Sequence, residues 1–178
     1  MSMRFHLSLA AASAAFVFAL AGCASTSPTQ PRASADLEPT HGNQVKGTVR
    51  FMQTGSDTVL VTGVITGLKP NSEHGFHIHE KGDCSSGDGN SAGGHFNPTG
   101  SAHGKYGASA HHGGDLPSLL ADAGGVARVN AEIRGISLAS GAANDIAGRG
   151  LIVHADPDDY VTQPTGNAGA RLACAVIR

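Results

Sequence analysis

Val45-Lys-Gly-Thr-Val-Arg-Phe51 alternates with a period of two. Val45, Val49 and Phe51 fall on one side of an extended chain, Lys46, Thr48 and Arg50 on the other. This is the pattern of a strand with one face on a core and one in water. Val59–Ile65 (VLVTGVI) and Ala127–Ile133 (ARVNAEI) repeat it. In the second, Val129, Ala131 and Ile133 are expected inside, with Arg128, Asn130 and Glu132 outside. Leu151–His154 and Leu172–Ile177 are short apolar runs bounded by turn residues. Turn formers such as Thr54-Gly-Ser-Asp57 and Lys69-Pro-Asn71 separate the runs. No segment carries a long helical period with caps. The fold is read as all-β: a Greek-key β-sandwich or flattened barrel of about eight antiparallel strands with long loops.

Composition agrees with one domain plus tails. The chain has 178 residues, 40% apolar, 4% aromatic and 15% charged, with 25 Gly and 8 Pro and no Gly-X-Y period. Its net charge of -2 argues against a nucleic-acid partner, which would need clustered Lys and Arg to neutralise phosphates. The unusual count is 10 histidines.

Residues 1–22 read as a signal rather than as part of the fold. Arg4 supplies the positive start, and Leu7–Leu20 is an Ala-rich apolar run too short for a comfortable membrane span. Leu20-Ala-Gly-Cys23 resembles the bacterial lipobox, which implies cleavage before Cys23 and lipid on that cysteine. An ordinary secretory signal is the competing reading. Ala24, after the cysteine, resembles the pattern that sorts lipoproteins to the outer membrane. Residues 23–32 then form a polar, Pro-containing tether, and residues 33–178 the domain. The mature chain keeps 11 basic and 14 acidic side chains, or -3. The expected place is the periplasmic side of the envelope, held to the bilayer by lipid. With Cys23 lipidated, the three cysteines leave one pair. In an oxidising compartment, Cys84 and Cys174 are expected to form a disulfide.

Gly82–Ser118 breaks the strand pattern. It holds 10 of the 25 glycines and almost no apolar run. So long a loop in a compact domain is usually functional or disordered. Upstream, Gly75-Phe-His-Ile-His-Glu80 puts His77 and His79 on one face of a strand, Cα atoms about 6.5–7 Å apart. Alone, such a pair reads equally well as an exposed strand face. The loop adds His95, His103 eight positions on, His112 nine further, and Asp115 three beyond that; His154 ends a later strand. Imidazole suits copper and zinc, and three His with one carboxylate suit tetrahedral zinc. An imidazole has two nitrogens, so one ring can serve two metals.

Together these segments resemble the copper/zinc superoxide dismutases. The matching residues are Gly75–Glu80, Gly94-His-Phe-Asn-Pro98, the His103/His112/Asp115 spacing, Gly114-Asp-Leu116, Val153-His154 and Thr165-Gly-Asn-Ala-Gly-Ala-Arg-Leu-Ala-Cys174. The resemblance implies one copper and one zinc ion per subunit and the conversion of superoxide to dioxygen and hydrogen peroxide. It implies copper on His77, His79, His95 and His154, and zinc on His95, His103, His112 and Asp115. Arg171 would dock the anion, Thr165 would narrow its channel, and Asp158 would link His77 to His103. Cys84–Cys174 matches the family disulfide.

Some positions depart from the pattern. Val161-Thr-Gln-Pro164 replaces the Glu and Lys residues that common eukaryotic members carry before Thr-Gly-Asn-Ala-Gly, which leaves no matched charges for steering there. Ser85–Asn90 reads as an extra turn. Homodimerisation is left open, because the contact residues do not transfer. His74 is expected to be structural and His111 exposed, with His111 in place of His112 as the competing reading; His41 and His6 receive no role. An envelope copper/zinc carrier without turnover, and more weakly an adhesive sandwich with structural metals, are the alternatives. Arg171 and a shared His95 speak for the enzyme, since a carrier needs neither.

Overall fold

The structure is a computed structural model that describes Met1 and residues 30–178. The signal and Cys23 lie outside the described residues. Nine strands are present among them: β1 (Arg32–Pro39), β2 (Lys46–Gly55), β3 (Thr58–Thr66), β4 (Glu73–His74), β5 (Phe76–His79), β6 (Leu119–Leu120), β7 (Ala127–Arg134), β8 (Gly150–His154) and β9 (Arg171–Val176). The helical content among the described residues is a single 3-10 turn, Asn90–Ala92.

Seven strands form one curled antiparallel sheet in the order β5-β8-β9-β1-β2-β3-β7; β4 and β6 pair separately. Strand β1 is the seam. It pairs with β2 over Arg32–Leu37 and with β9 at Glu38 and Pro39, so the β1-β2-β3-β7 half and the β5-β8-β9 half join through it. Arg32, the last residue read as tether, already faces Met52 in this ladder.

The alternation places the core as the sequence requires. Val49, Phe51, Val59, Val61 and Ile65 from one half meet Phe76, Ile78, Leu151, Val153 and Ile177 from the other in one continuous apolar cluster. Burying a side chain of this size stabilises by about 1.5–3 kcal/mol each. Arg50 and Arg128 point to water, while Val129 and Ala131 are half-buried against the cluster. The two-residue strands β4 and β6 are too short to leave a period in the sequence. Strand β1 is masked by its small residues, Ala33 and Ala35, and by Pro39.

Candidate metal centre

Strand β5 would be a sheet edge if the glycine-rich loop did not cover it. Its outer side pairs with that loop through isolated bridges, His77 to Asp115 and His79 to His95. Ile78 donates N–H to Gly114 O at 2.9 Å and receives Phe96 N–H at 2.8 Å. A Cβ on Gly114 would fall on the Ile78 carbonyl, so only glycine allows this approach. All four residues of β5 are buried as a result. Strand β8 lies on the other side of β5 and contributes His154 at its end.

Two clusters of ligand atoms result. His77, His79, His95 and His154 form one; His95, His103, His112 and Asp115 form the other. Within each, the candidate atoms lie no more than 4.8 Å apart, and every member is buried. His95 belongs to both. Its Nδ1 is 2.9 Å from Asp115 Oδ1 and 3.4 Å from His112 Nδ1. Its Nε2 is buried with no hydrogen-bond partner.

Four of the nitrogens turned away from the clusters have partners. His79 Nδ1 is 2.9 Å from Gly93 O, and His154 Nδ1 is 3.3 Å from Gly169 O. His77 Nε2 lies 2.7 Å from Asp158 Oδ2, and His103 Nε2 lies 2.9 Å from Asp158 Oδ1. Asp158 therefore spans the two clusters, one oxygen to each. Gly166, beside it, is held at positive φ where a Cβ would strike the Asp158 carboxylate. These bonds fix ring orientation, and for His79 and His154 the carbonyl acceptors make Nδ1 the protonated nitrogen. That leaves Nε2 of both, like Nδ1 of His77, as a lone-pair donor.

The donor set fits metals on two grounds. A buried polar nitrogen without a partner costs free energy, and among the described residues there are two on side chains, His77 Nδ1 and His95 Nε2, both on members of the four-histidine cluster. In the other cluster, Asp115 Oδ1 stands 2.9, 3.1 and 3.4 Å from the Nδ1 atoms of His95, His103 and His112. Ligands about 2.0–2.1 Å from a tetrahedral zinc lie about 3.3 Å apart. Four nitrogens suit copper, and three nitrogens with one carboxylate oxygen suit zinc.

Electrostatics keep the candidate ligands in their binding forms. Burial, then the neighbouring imidazoles His95 and His154, hold His77 well below the ordinary histidine range. Burial, aided by His95, does the same for His79. Burial pushes His154 down to about 4, with His95 and Arg171 adding to the effect. Burial opposes the charge on Asp115, yet the His95 ring and the His112 N–H overcome it and keep the carboxyl far down in its range. Neutral rings and an ionised carboxylate are the metal-binding states.

A stability consequence follows for the metal-free protein. An unfolded histidine takes its proton near the ordinary value of 6.5, whereas folded His154 resists until about 4. Protons therefore favour the unfolded chain across that window, and stability falls as pH drops through it. Urea unfolding of demetallated protein is expected to show a lower midpoint at pH 5 than at pH 7.5. An unchanged or higher midpoint would contradict these burial effects.

Beside the four-histidine cluster opens a cleft of about 460 Å³, lined in part by His154, Thr165 and Arg171. Arg171 is half-buried, and Nη1 and Nη2 donate to Gly89 O at 2.6 Å and Gly93 O at 2.7 Å. Gly93 O thus serves both His79 and Arg171. Cys84 and Cys174 form a disulfide, Cα atoms 5.9 Å apart, which fastens the start of the glycine-rich loop to β9.

His74 and His111 stand apart from both clusters. His74 is buried between Ser72 Oγ and His154 O, at 2.7 and 2.8 Å. His111 Nδ1 lies 2.7 Å from His112 O. Sequence reasoning missed the glycine carbonyls and Gln163. That side chain accepts His103 N–H at 2.8 Å and donates to His103 O at 3.0 Å, pinning a cluster residue from the loop that lacks the matched charges. A carbonyl contact leaves no mark in a side-chain pattern.

The comparisons agree with this geometry. Residues 45–177 match the family model of the copper/zinc superoxide dismutases. A copper-zinc superoxide dismutase of Paramecium bursaria Chlorella virus 1 is 48% identical over 139 residues, covering 75% of this chain and 72% of its own length. Copper-zinc superoxide dismutase 2 of Aquifex aeolicus is 41% identical over 150 residues, covering 83% and 86%. Copper-zinc superoxide dismutase 3 of Arabidopsis thaliana is 43% identical over 141 residues, covering 76% and 84%. The crystal structure of the clock protein EA4 superposes with a TM-score of 0.75 at 41% identity, covering 84% of this chain and 94% of that one. The chain belongs to the copper/zinc superoxide dismutases, and it converts superoxide to dioxygen and hydrogen peroxide with one copper and one zinc.

Proposed function

We propose that His77, His79, His154 and His95 hold the copper, that His95, His103, His112 and Asp115 hold the zinc, and that the enzyme works on the periplasmic side of the cell envelope. The observation that carries the assignment is His95, with Nδ1 in one cluster and a buried, unpartnered Nε2 in the other. When bound, copper supplies a one-electron couple that superoxide can reduce and reoxidise, and zinc supplies a fixed, redox-inert charge.

The residues do the rest. His95 Nε2 is the atom at which a proton is held and passed on, while Nδ1 stays engaged and keeps the ring in place. Asp158 restrains His77 and His103 together, so the two halves of the site hold one geometry. Arg171 presents fixed donors to a small anion in the cleft, and Thr165 narrows the approach. The mature chain is weakly acidic, so attraction of the anion is local to Arg171.

Arg171→Ala is expected to lower kcat/KM for superoxide by at least about tenfold, at or below the usual effect of one lost electrostatic donor. Copper content should not change. An unchanged rate would remove Arg171 from the docking role.

The envelope placement rests on sequence: the apolar run Leu7–Leu20, then Leu20-Ala-Gly-Cys23, with Ala24 favouring the outer membrane. Lipid on Cys23 would anchor the domain through the tether. Mass spectrometry of the mature N-terminus tests it: a diacylglyceryl cysteine supports the anchor, and an unmodified cysteine rules it out.

A further inference from the structure

The pairing of β8 with β9 slips by one residue beside the copper ligands. Val153 faces Ala173, but His154 faces Arg171, so Leu172 is the extra residue of a bulge. A bulge interrupts the ladder and re-aims the side chains next to it. Here it sits between Ala173 and Arg171, directly beside the residue that carries the guanidinium.

Both carbonyls of this bulge are met by one residue. Thr40, just past β1 and 6% exposed, donates its hydroxyl to Arg171 O at 2.6 Å, and Leu172 O lies 3.1 Å from the same oxygen. The Thr40 N–H donates to Leu172 O at 3.0 Å. Asn43 Nδ2 in turn donates to Thr40 Oγ1 at 2.8 Å, which orients the hydroxyl. The neighbouring residue reaches the other end of Arg171. His41 N–H donates to Gly87 O at 2.8 Å, in the loop whose Gly89 and Gly93 carbonyls hold the guanidinium. A Cβ on Gly89 would press on Arg171 Cδ at 3.2 Å and stand 3.6 Å from Thr40 Cγ2, so the turn, the loop and Arg171 are packed together.

We infer that Thr40 is a positioning residue for Arg171: its hydroxyl locks the β9 bulge that aims the guanidinium into the anion cleft. The inference rests on the proposed docking role of Arg171. It ties the turn after β1, more than a hundred positions away in the chain, to how a small anion is received.

The test compares Thr40→Val, which keeps the shape and removes the donor, with Thr40→Ser, which keeps the donor. Thr40→Ala replaces the valine variant if that chain does not fold. Each is loaded with copper and zinc, and two quantities are read: kcat/KM for superoxide, and the affinity of the oxidised copper for azide from its visible absorption. Thr40→Val is expected to weaken both by about three- to tenfold, the size of one net hydrogen bond. Thr40→Ser should stay within about twofold of the parent, again on the scale of a fraction of one hydrogen bond. In an Arg171→Ala background, Thr40→Val should add nothing further, because it acts through that side chain. Azide affinity lost in Arg171→Ala but kept in Thr40→Val would overturn the positioning role and leave the docking role standing. An equal loss from Thr40→Val with or without Arg171, or from Thr40→Ser, would also overturn it. Unchanged azide affinity in Arg171→Ala would overturn both.

Discussion

His95→Ala is expected to lower superoxide dismutation by more than about a hundredfold, beyond the 10–100-fold usual for a residue that only supports a metal ligand. The ring contributes a nitrogen to each cluster, so one substitution opens both. It also removes the atom proposed to carry a proton. Metal analysis should show weakened zinc as well as altered copper, since Asp115 Oδ1 loses the His95 Nδ1 that lies 2.9 Å away. His111→Gln is the control, because the His111 ring belongs to neither cluster; it meets the His112 carbonyl and stands edge-on to Tyr106. Stopped-flow measurement of superoxide decay distinguishes the two variants. Activity of His95→Ala within about tenfold of the parent would defeat the shared-ring assignment.

Cys84→Ser is expected to destabilise the fold by about 4–5 kcal/mol, the chain-entropy value for closing a loop this long. The two cysteines are separated by 90 residues. In a domain of this size that corresponds to a fall in Tm of about 10–20 °C. Calorimetry of the metal-free oxidised proteins reads the effect without the metals' contribution. The loss should extend to catalysis. The bridge holds the segment that runs from Cys84 to Gly93, and the Gly89 and Gly93 carbonyls receive Arg171 while Gly93 O also receives His79. Loosening the loop therefore acts first on the copper side. An unchanged Tm, or a lower Tm with anion affinity intact, would contradict this coupling.

Much of the fold was legible because strands announce themselves by alternation. Val45, Val49 and Phe51 share one face of their strand, as Val129 and Ile133 do with Ala127 and Ala131, and only one register buries them. Strand β1 was not legible, because Ala33 and Ala35 contribute little apolar surface and the preceding residues read as tether. The short strands β4 and β6 exist through pairing with each other, a tertiary fact without a local period. The residues of the two clusters were legible by type and spacing. Asp158 holds two of these rings, but two others rest on the backbone carbonyls of Gly93 and Gly169, and Arg171 rests on those of Gly89 and Gly93, glycines whose role is written only in where the chain passes. Thr40 was invisible for a similar reason. Its partners are the carbonyls of Arg171 and Leu172, exposed by a bulge that no sequence pattern marks.

Anomalous diffraction at the copper and zinc edges of the fully loaded, oxidised protein tests the assignment most directly. The account predicts copper against His95 Nε2, with His77 Nδ1 and the Nε2 atoms of His79 and His154. It predicts zinc against His95 Nδ1, with His103, His112 and Asp115. A map in which the His95 ring touches a single metal, or neither, would contradict it.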